Sequence, residues 1–258
     1  SMSSTAVVYT CCHANPKVDN KRFELLGNLI YDIKPDYVFD LGDFADMSSL
    51  NSYDTRYPKA VVTENYENDI EVTRDAQEKL REKFVRRKTR KPIWIGFEGN
   101  HEHRIKRALQ HDPRLEGKKY GVSFEHLHTH RYYDEYHHYE NGAPAIKSYD
   151  GVSYAHFIGS GNYGTAISGI HHGYALTAKL ACSVTVGHSH KRSYFVKQEA
   201  VPNPIHGLVA GCFKGKDETW AGQANREWWK GVCVKRNIVN GNYDLQFISM
   251  EQLEKNYG

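Results

Sequence analysis

No apolar run in this 258-residue chain approaches the ~18 to 20 residues that span a bilayer. Its start also lacks the basic-then-apolar layout of a secretory signal. Membrane insertion is therefore not expected, and the cytoplasm is the expected compartment. Internal repeats, low-complexity tracts and sustained heptads are absent as well, which excludes solenoids, linkers and coiled coils. Cysteine is scarce and odd in number, five in all, so a disulfide framework is excluded and a reducing environment fits. Cys182, Cys212 and Cys233 lie in apolar stretches and read as core thiols, with Cys12 as a packing residue. Neither sign of charge dominates: 34 basic against 31 acidic residues leave +3, too little to argue for a nucleic-acid partner. What is plentiful is histidine. Fifteen of them, several beside Asp, Asn or Gly, point to a metal site.

Hydrophobic residues at 40% specify a globular chain. With Ser1 and Met2 read as an expression remnant, one domain is expected over residues 3–258. Residues 6–10 form a β-branched apolar run feeding Cys11, Cys12 and His13. In 21–33, Phe23, Leu26, Ile30 and Ile33 recur at helical spacing. Strand-like 38–41 then runs into Gly42, Asp43 and Asp46, which predicts a parallel pair with a right-handed crossover. A helix over 67–87, stopped by Pro92, precedes a strand at 93–97 that ends on Gly99, Asn100, His101 and Glu102. The Tyr- and His-rich stretch at about 103–150 has no clear period and reads as an excursion or small lid. A strand over 152–158 with His156 inside it, a helix over 165–181 and a strand at 184–186 follow. The last of these leads to Gly187, His188, Ser189 and His190. Strands 232–239 and 243–248 flank Asn240-Gly241, a hairpin signal. Three successive strand-end loops thus carry the polar residues, where open α/β sheets place their ligands.

Taken in order, the chain presents Cys11-x-His13, Gly42-Asp43-x-x-Asp46, Gly99-Asn100-His101-Glu102, His156 and Gly187-His188-x-His190. This series resembles the calcineurin-like metallophosphoesterases, whose pattern is Asp-x-His, Gly-Asp-x-x-Asp, Gly-Asn-His-Glu, a later His and Gly-His-x-His. The resemblance spans about residues 6–213. A bare Gly-Asp carries almost no information, whereas the ordered set of five does. The resemblance implies an α/β fold, a four-layer α/β/β/α sandwich of two mixed sheets, with the site at the strand ends. It implies two divalent metal ions ~3.5 to 4 Å apart that clamp the attacking and leaving oxygens. One would be held by Cys11, His13, Asp43 and His190. The other would be held by Asp43 as bridge with Asn100, His156 and His188. A hydroxide between the ions would attack, His101 would donate a proton to the leaving oxygen, and Asp46 would orient that imidazole.

One position departs from the pattern: Cys11 stands where the family usually has Asp. A thiolate keeps the negative charge but is softer, at about 2.3 Å to zinc against about 2.0 to 2.2 Å for oxygen. Zn or Fe is therefore favoured at the Cys11 site, while the N/O site also suits Mn. RNA lariat debranching enzymes are similar in having Cys at this place. The bland alternative makes Cys11 a spectator. For His156, any of His137, His138, His171 or His172 is an alternative ligand, and Glu102 reads as fixing its loop. Arg104 is a candidate phosphate ligand or an exposed helix cation. His126, His128 and His130 read as a solvated segment, the basic run 81–91 as a helix C-terminus, and Tyr132, Tyr133, Tyr136 and Tyr139 as lid packing. The expected activity is divalent-metal-dependent hydrolysis of a phosphoester. A phosphodiester in a nucleotide or nucleic acid is favoured, because the family's protein-phosphatase branch continues Gly-Asp-x-x-Asp with Arg-Gly where this chain has Met47 and Ser48. The run 40–49 and Glu102-His103-Arg104 look most like phage-encoded members, which would place the protein in a host cytoplasm. The alternatives are a phosphomonoesterase on a protein or small molecule, and a metal-binding inactive module.

Overall fold

A computed structural model describes residues 2–51, 64–86, 89–160, 165–169, 171–199, 202–215 and 222–258. The first half runs β1 (Ser4–Tyr9), α1 (Lys21–Ile33), β2 (Tyr37–Asp40), α2 (Glu64–Arg86), β3 (Ile93–Phe97), α3 (His103–His111), a single turn α4 (Thr129–Tyr132) and β4 (Glu135–His137). The second half runs β5 (Lys147–Tyr149), β6 (Val152–Ala155), β7 (Gly159–Ser160), β8 (Thr165–Ala166), α5 (His172–Leu180), β9 (Ser183–Val186), β10 (Arg192–Lys197) and β11 (Ile205–Ala210). It closes with the short α6 (Ala224–Glu227), β12 (Gly231–Val239), β13 (Asn242–Ser249) and α7 (Met250–Tyr257). Two mixed sheets result. One has the order β13-β12-β1-β2-β3-β4 and the other β10-β11-β9-β6-β5.

Period-two alternation decides which face each side chain covers. On β1, Val7 and Tyr9 turn toward Phe23, Leu26 and Ile30 of α1, with Leu80 and Phe84 of α2 and Leu253 of α7 in the same core. Ala6 and Val8 turn the other way, into an inter-sheet core with Phe39, Ile95 and Phe97, met from the second sheet by Val152, Tyr154, Leu208 and Ala210. Phe39 and Tyr154 stack across the gap with centroids 3.9 Å apart. The far face of the second sheet packs Val184, Val186 and Val209 against Leu176 of α5. The layers are therefore helix, sheet, sheet, helix. At about 1.5–3 kcal/mol for each large apolar side chain removed from water, these three cores drive the assembly.

Helix α1 stops at Lys34, whose left-handed φ of 52° lets its N–H return to the Ile30 carbonyl. The Asn240-Gly241 turn has φ of 47° and 84°, the paired positive values a two-residue hairpin needs. Three local expectations differ from the structure, and a fourth holds with one exception. The excursion contributes β4, which extends the first sheet by pairing parallel with β3, and Tyr132 and Tyr133 are buried in the main core. The expected helix over 165–181 is confined to α5, because Thr165–Ala166 pairs with Gly159–Ser160 and Gly169 takes a φ of 116°. The basic run does close helix α2, with Lys83 and Arg86 in its last turn, but Arg81 is buried, its guanidinium 4.1 Å from the Trp94 ring centroid and bonded to the Tyr132 carbonyl; positions 87 and 88 lie outside the described residues. His126, read as solvated, is engaged by Tyr66 Oη at 2.6 Å and the Lys118 carbonyl at 2.8 Å.

The alternation on β12 sends Cys233 into the inter-sheet core, and Lys235, two residues on, shares that face. Lys235 is fully buried. Its Nζ donates to Thr185 Oγ1 at 2.5 Å and Tyr154 Oη at 3.2 Å, with the Tyr154 and Tyr243 ring centroids each 4.4 Å away.

Candidate metal centre

β1, β2 and β3 run parallel in register, Tyr9 beside Asp40 and Asp40 beside Gly96, so their carboxyl ends finish side by side. In the second sheet β6 and β9 are also parallel, with Ala155 beside Val186. Five loops leave these five strand ends. Backbone bonds stitch them to one another and to the segments after β11 and before β12: Cys11 N to Gly42 O and His13 N to Asp43 O, both at 2.9 Å, Phe213 N to Cys11 O at 3.1 Å, and Trp229 N to His190 O at 2.9 Å. Glu102 closes the set from within, its Oε1 accepting from Asp43 N at 2.8 Å. Gly99 has no substitute here, because a Cβ would overlap Asp43 Oδ1.

Cys11, His13, Asp43, His188 and His190 all sit at positive φ, between 47° and 70°. A non-glycine residue in that region costs on the order of 1–3 kcal/mol. The cross-loop bonds hold the five there, and the result is that side chains from positions as distant as Cys11 and His188 converge. The His188 N–H donates to Cys11 Sγ at 3.2 Å, bridging the two sheets.

On one side of Asp43, the donor atoms of Cys11, His13 and His190 lie within 4.8 Å of one another, and so do those of Cys11, Asp43 and His156. His13 Nδ1 is bonded to Asp46 Oδ1 at 2.8 Å, which leaves Nε2 turned toward Asp43 Oδ2, 3.8 Å away. That buried Nε2 meets no hydrogen-bond partner among the described residues. On the other side, His156 Nδ1 donates to the Leu41 carbonyl at 2.7 Å, and its Nε2 faces Asp43 Oδ2 at 3.1 Å and Asn100 Oδ1 at 2.8 Å. His188 Nδ1 joins them, 3.1 Å from Asn100 Oδ1 and 3.3 Å from His156 Nε2. His137 is bonded instead to Tyr149 Oη and His138 to Glu98.

This arrangement fits divalent cations. With Nδ1 of His156 taken up by the Leu41 carbonyl, its Nε2 is the atom that faces a carboxylate oxygen, an amide oxygen and a second imidazole. A divalent cation would engage these atoms together, in place of the hydrogen bonds the ring nitrogens otherwise make to Asp43 and Asn100. Ligand atoms bound at ~2.0–2.3 Å to one tetrahedral ion stand about 3.3–3.8 Å apart; His13 Nε2 and Asp43 Oδ2 are at 3.8 Å, whereas the contacts around His156 Nε2, at 2.8–3.3 Å, would open slightly to admit an ion. Burial holds His188 at about 4 and His190 at about 2, so both are neutral imidazoles able to ligate. Burial opposes the charge on Asp43, but His156 and His101 more than offset it and hold the carboxyl well below its usual range.

His101 lies beside the cluster rather than in it. Its backbone N–H donates to Asp43 Oδ1 at 2.9 Å and its Nδ1 to the Asp46 carbonyl at 2.7 Å, with the Asp46 carboxylate 3.4 Å away. Burial lowers its pKa, and Asp43 and Asp46 together overcome that, leaving it raised. The Asp46 carboxylate is thus shared, with its shorter contact to His13. Arg104 donates Nη1 to the carbonyls of Asp46 and Met47, at 3.2 and 3.3 Å.

Three supports carry no motif signal. Asn15 Nδ2 donates to Asp46 Oδ2 at 2.6 Å, and only its place two residues beyond His13 hints at this. Arg22, buried on α1, ties the Cys12 carbonyl to that of Phe213 through Nη2 at 2.8 Å and Nε at 3.0 Å. Trp228 meets His190 edge-on at 4.7 Å between centroids.

No family model matches the chain, and no curated protein matches it either. Among solved structures it is similar to a conserved protein of Streptococcus pneumoniae TIGR4 described as a predicted phosphoesterase. That match has 10% identity and a TM-score of 0.40, covering 97% of this chain and 92% of that one. It is also similar to the protein TT1561 of Thermus thermophilus, at 8% identity and a TM-score of 0.36, covering 96% of this chain and 100% of that one. No helix among the described residues is long and apolar enough to cross a membrane.

Proposed function

We propose that the protein is a divalent-metal-dependent phosphoesterase whose substrate is a phosphodiester in a nucleotide or nucleic acid. The observation that carries this reading is the convergence of imidazole nitrogens on Asp43 from both sides, with His13 Nε2 buried and without a partner among the described residues. Cys11, His13, Asp43 and His190 would hold one cation, and Asp43, Asn100, His156 and His188 the other. When bound, the two cations would supply Lewis-acid charge to the phosphoryl oxygens and activate the attacking water.

The chain's own groups do the rest. Asp43, fixed by Glu102 through its backbone and by His101 N–H through Oδ1, is ionised and pre-positioned between the two ligand sets. His101 Nδ1 is committed to the Asp46 carbonyl, so its Nε2 is the atom that would deliver a proton to the leaving oxygen. Its raised pKa favours the protonated form this needs. Arg104, held on the Asp46 loop by Nη1, would offer the remainder of its fork to a phosphate oxygen. Preference for a diester is supported by position 47: a fully buried Met stands where a guanidinium follows the motif in protein phosphatases.

The test compares a bis-aryl phosphodiester with an aryl phosphomonoester under manganese, zinc and ferrous iron. Faster turnover of the diester is expected. Faster monoester turnover would replace the diester reading with a phosphomonoesterase, and no turnover with metals demonstrably bound would identify an inactive binding module.

A further inference from the structure

Two aromatic side chains flank the Gly187-His188-Ser189-His190 loop, one against each of its histidines. Phe157 follows His156 directly, and its ring lies 4.9 Å from that of His188 and 5.8 Å from that of His156. Trp228 meets His190 edge-on, and the Lys214 ammonium sits 4.7 Å from its ring centroid, a cation–π contact that steadies the indole. The neighbouring backbone is pinned as well, Trp229 N to the His190 carbonyl and Cys212 N to the Trp229 carbonyl at 2.8 Å. Neither ring belongs to the hydrophobic cores, and both remain partly exposed. Rings recruited only to brace the imidazoles would gain most by complete burial. These two instead keep surface open beside the histidines that would hold the cations.

Building on the phosphodiester reading above, we propose that Phe157 and Trp228 are specificity-determining residues that stack the nucleobases flanking the scissile phosphate. A base is one ribose removed from its phosphorus, so an exposed ring beside a histidine that would hold a phosphate-binding cation lies within reach of a flanking base. Stacking of this kind is tolerant of base identity, because every base offers a π-face. The protein should accordingly discriminate strongly for the presence of a base and weakly among the four.

The experiment measures kcat and KM for a dinucleoside phosphodiester and for the same compound with its bases replaced by hydrogen. It uses wild type, Phe157→Ala, Trp228→Ala, Phe157→Tyr and Trp228→Phe, with metal content measured in each. In wild type the base-bearing compound should have the higher kcat/KM. Each alanine variant should reduce that preference by about 10- to 100-fold, mainly through KM, and the aromatic replacements should restore it. A merely structural role would lower both substrates together, keep the ratio, and overturn the proposal. A wild type that cleaves both compounds equally also overturns it, while leaving the phosphodiester reading intact. A wild type that cleaves neither, yet hydrolyses an aryl phosphomonoester, overturns the reading and the stacking with it.

Discussion

Lys235→Met should stabilise the protein, by an amount that depends on pH in a calculable way. The ammonium of Lys235 is buried between the two sheets, and its immediate contacts among the described residues are hydroxyl and π partners. Burial lowers its pKa from the usual 10.5 to about 7. At ~1.36 kcal/mol per pH unit, that difference caps the cost of carrying the group at about 5 kcal/mol. Below pH 7 the folded and unfolded chains are both protonated, and the folded one bears the full desolvation cost. Between pH 7 and 10.5 only the unfolded chain keeps the proton, so the cost shrinks as pH rises; above 10.5 it is gone. Methionine retains the apolar stem and removes the charge. The assay is urea unfolding of wild type and variant from pH 6 to pH 9.5, read as their difference so that other titrations cancel. The expected difference favours the variant by about 2–5 kcal/mol near pH 6 and narrows steadily above pH 7. Parallel curves across that range would refute the argument, since a lysine that is solvated when charged gives no pH-dependent gap.

Two further outcomes bear on the site. His101→Ala should retain both metals by elemental analysis and lose about 10²- to 10⁴-fold in kcat; loss of metal in that variant would mean the imidazole ligates rather than donates a proton. Cys11→Asp should fold normally, because Asp tolerates the left-handed φ of 52° at that position better than most residues, and should shift retained metal from zinc toward manganese after dialysis against both. An unchanged ratio would make Cys11 a spectator.

The two kinds of information in the chain differ in how locally they are written. β1, β2 and β3 are short apolar runs that end on polar loop motifs, so both the strands and the loops they feed are readable within ten residues. β4 has no such signature. Its place beside β3 is set by Asp134, whose carboxylate accepts from Trp94 N at 2.7 Å while its own N–H donates to Trp94 O at 2.8 Å. That pairing lies forty residues apart, and no periodicity announces it. β10 and β11 are likewise invisible, since their mixed residues gain meaning only once they pair with each other and β11 with β9. Arg81 misleads for a related reason: counting charge over 81–91 ignores helical phase, and position 81 falls, with Gln77 and Phe84, on the buried side of α2.

At the site the asymmetry reverses. Cys11, His13, Asp43, Asn100, His101, His156, His188 and His190 can be nominated in order because ligand chemistry admits few residue types, yet nothing in their spacing reveals the left-handed backbone on which five of them sit. That conformation depends on partners elsewhere: Gly42 O holding Cys11, Asp43 O holding His13, and Cys11 Sγ itself accepting from His188 across 177 positions. Each loop is strained alone and sustained by the others. Loosening one should therefore displace ligands in all, so a buried brace such as Arg22, remote from any motif, belongs to the design of the site as much as the residues that name it.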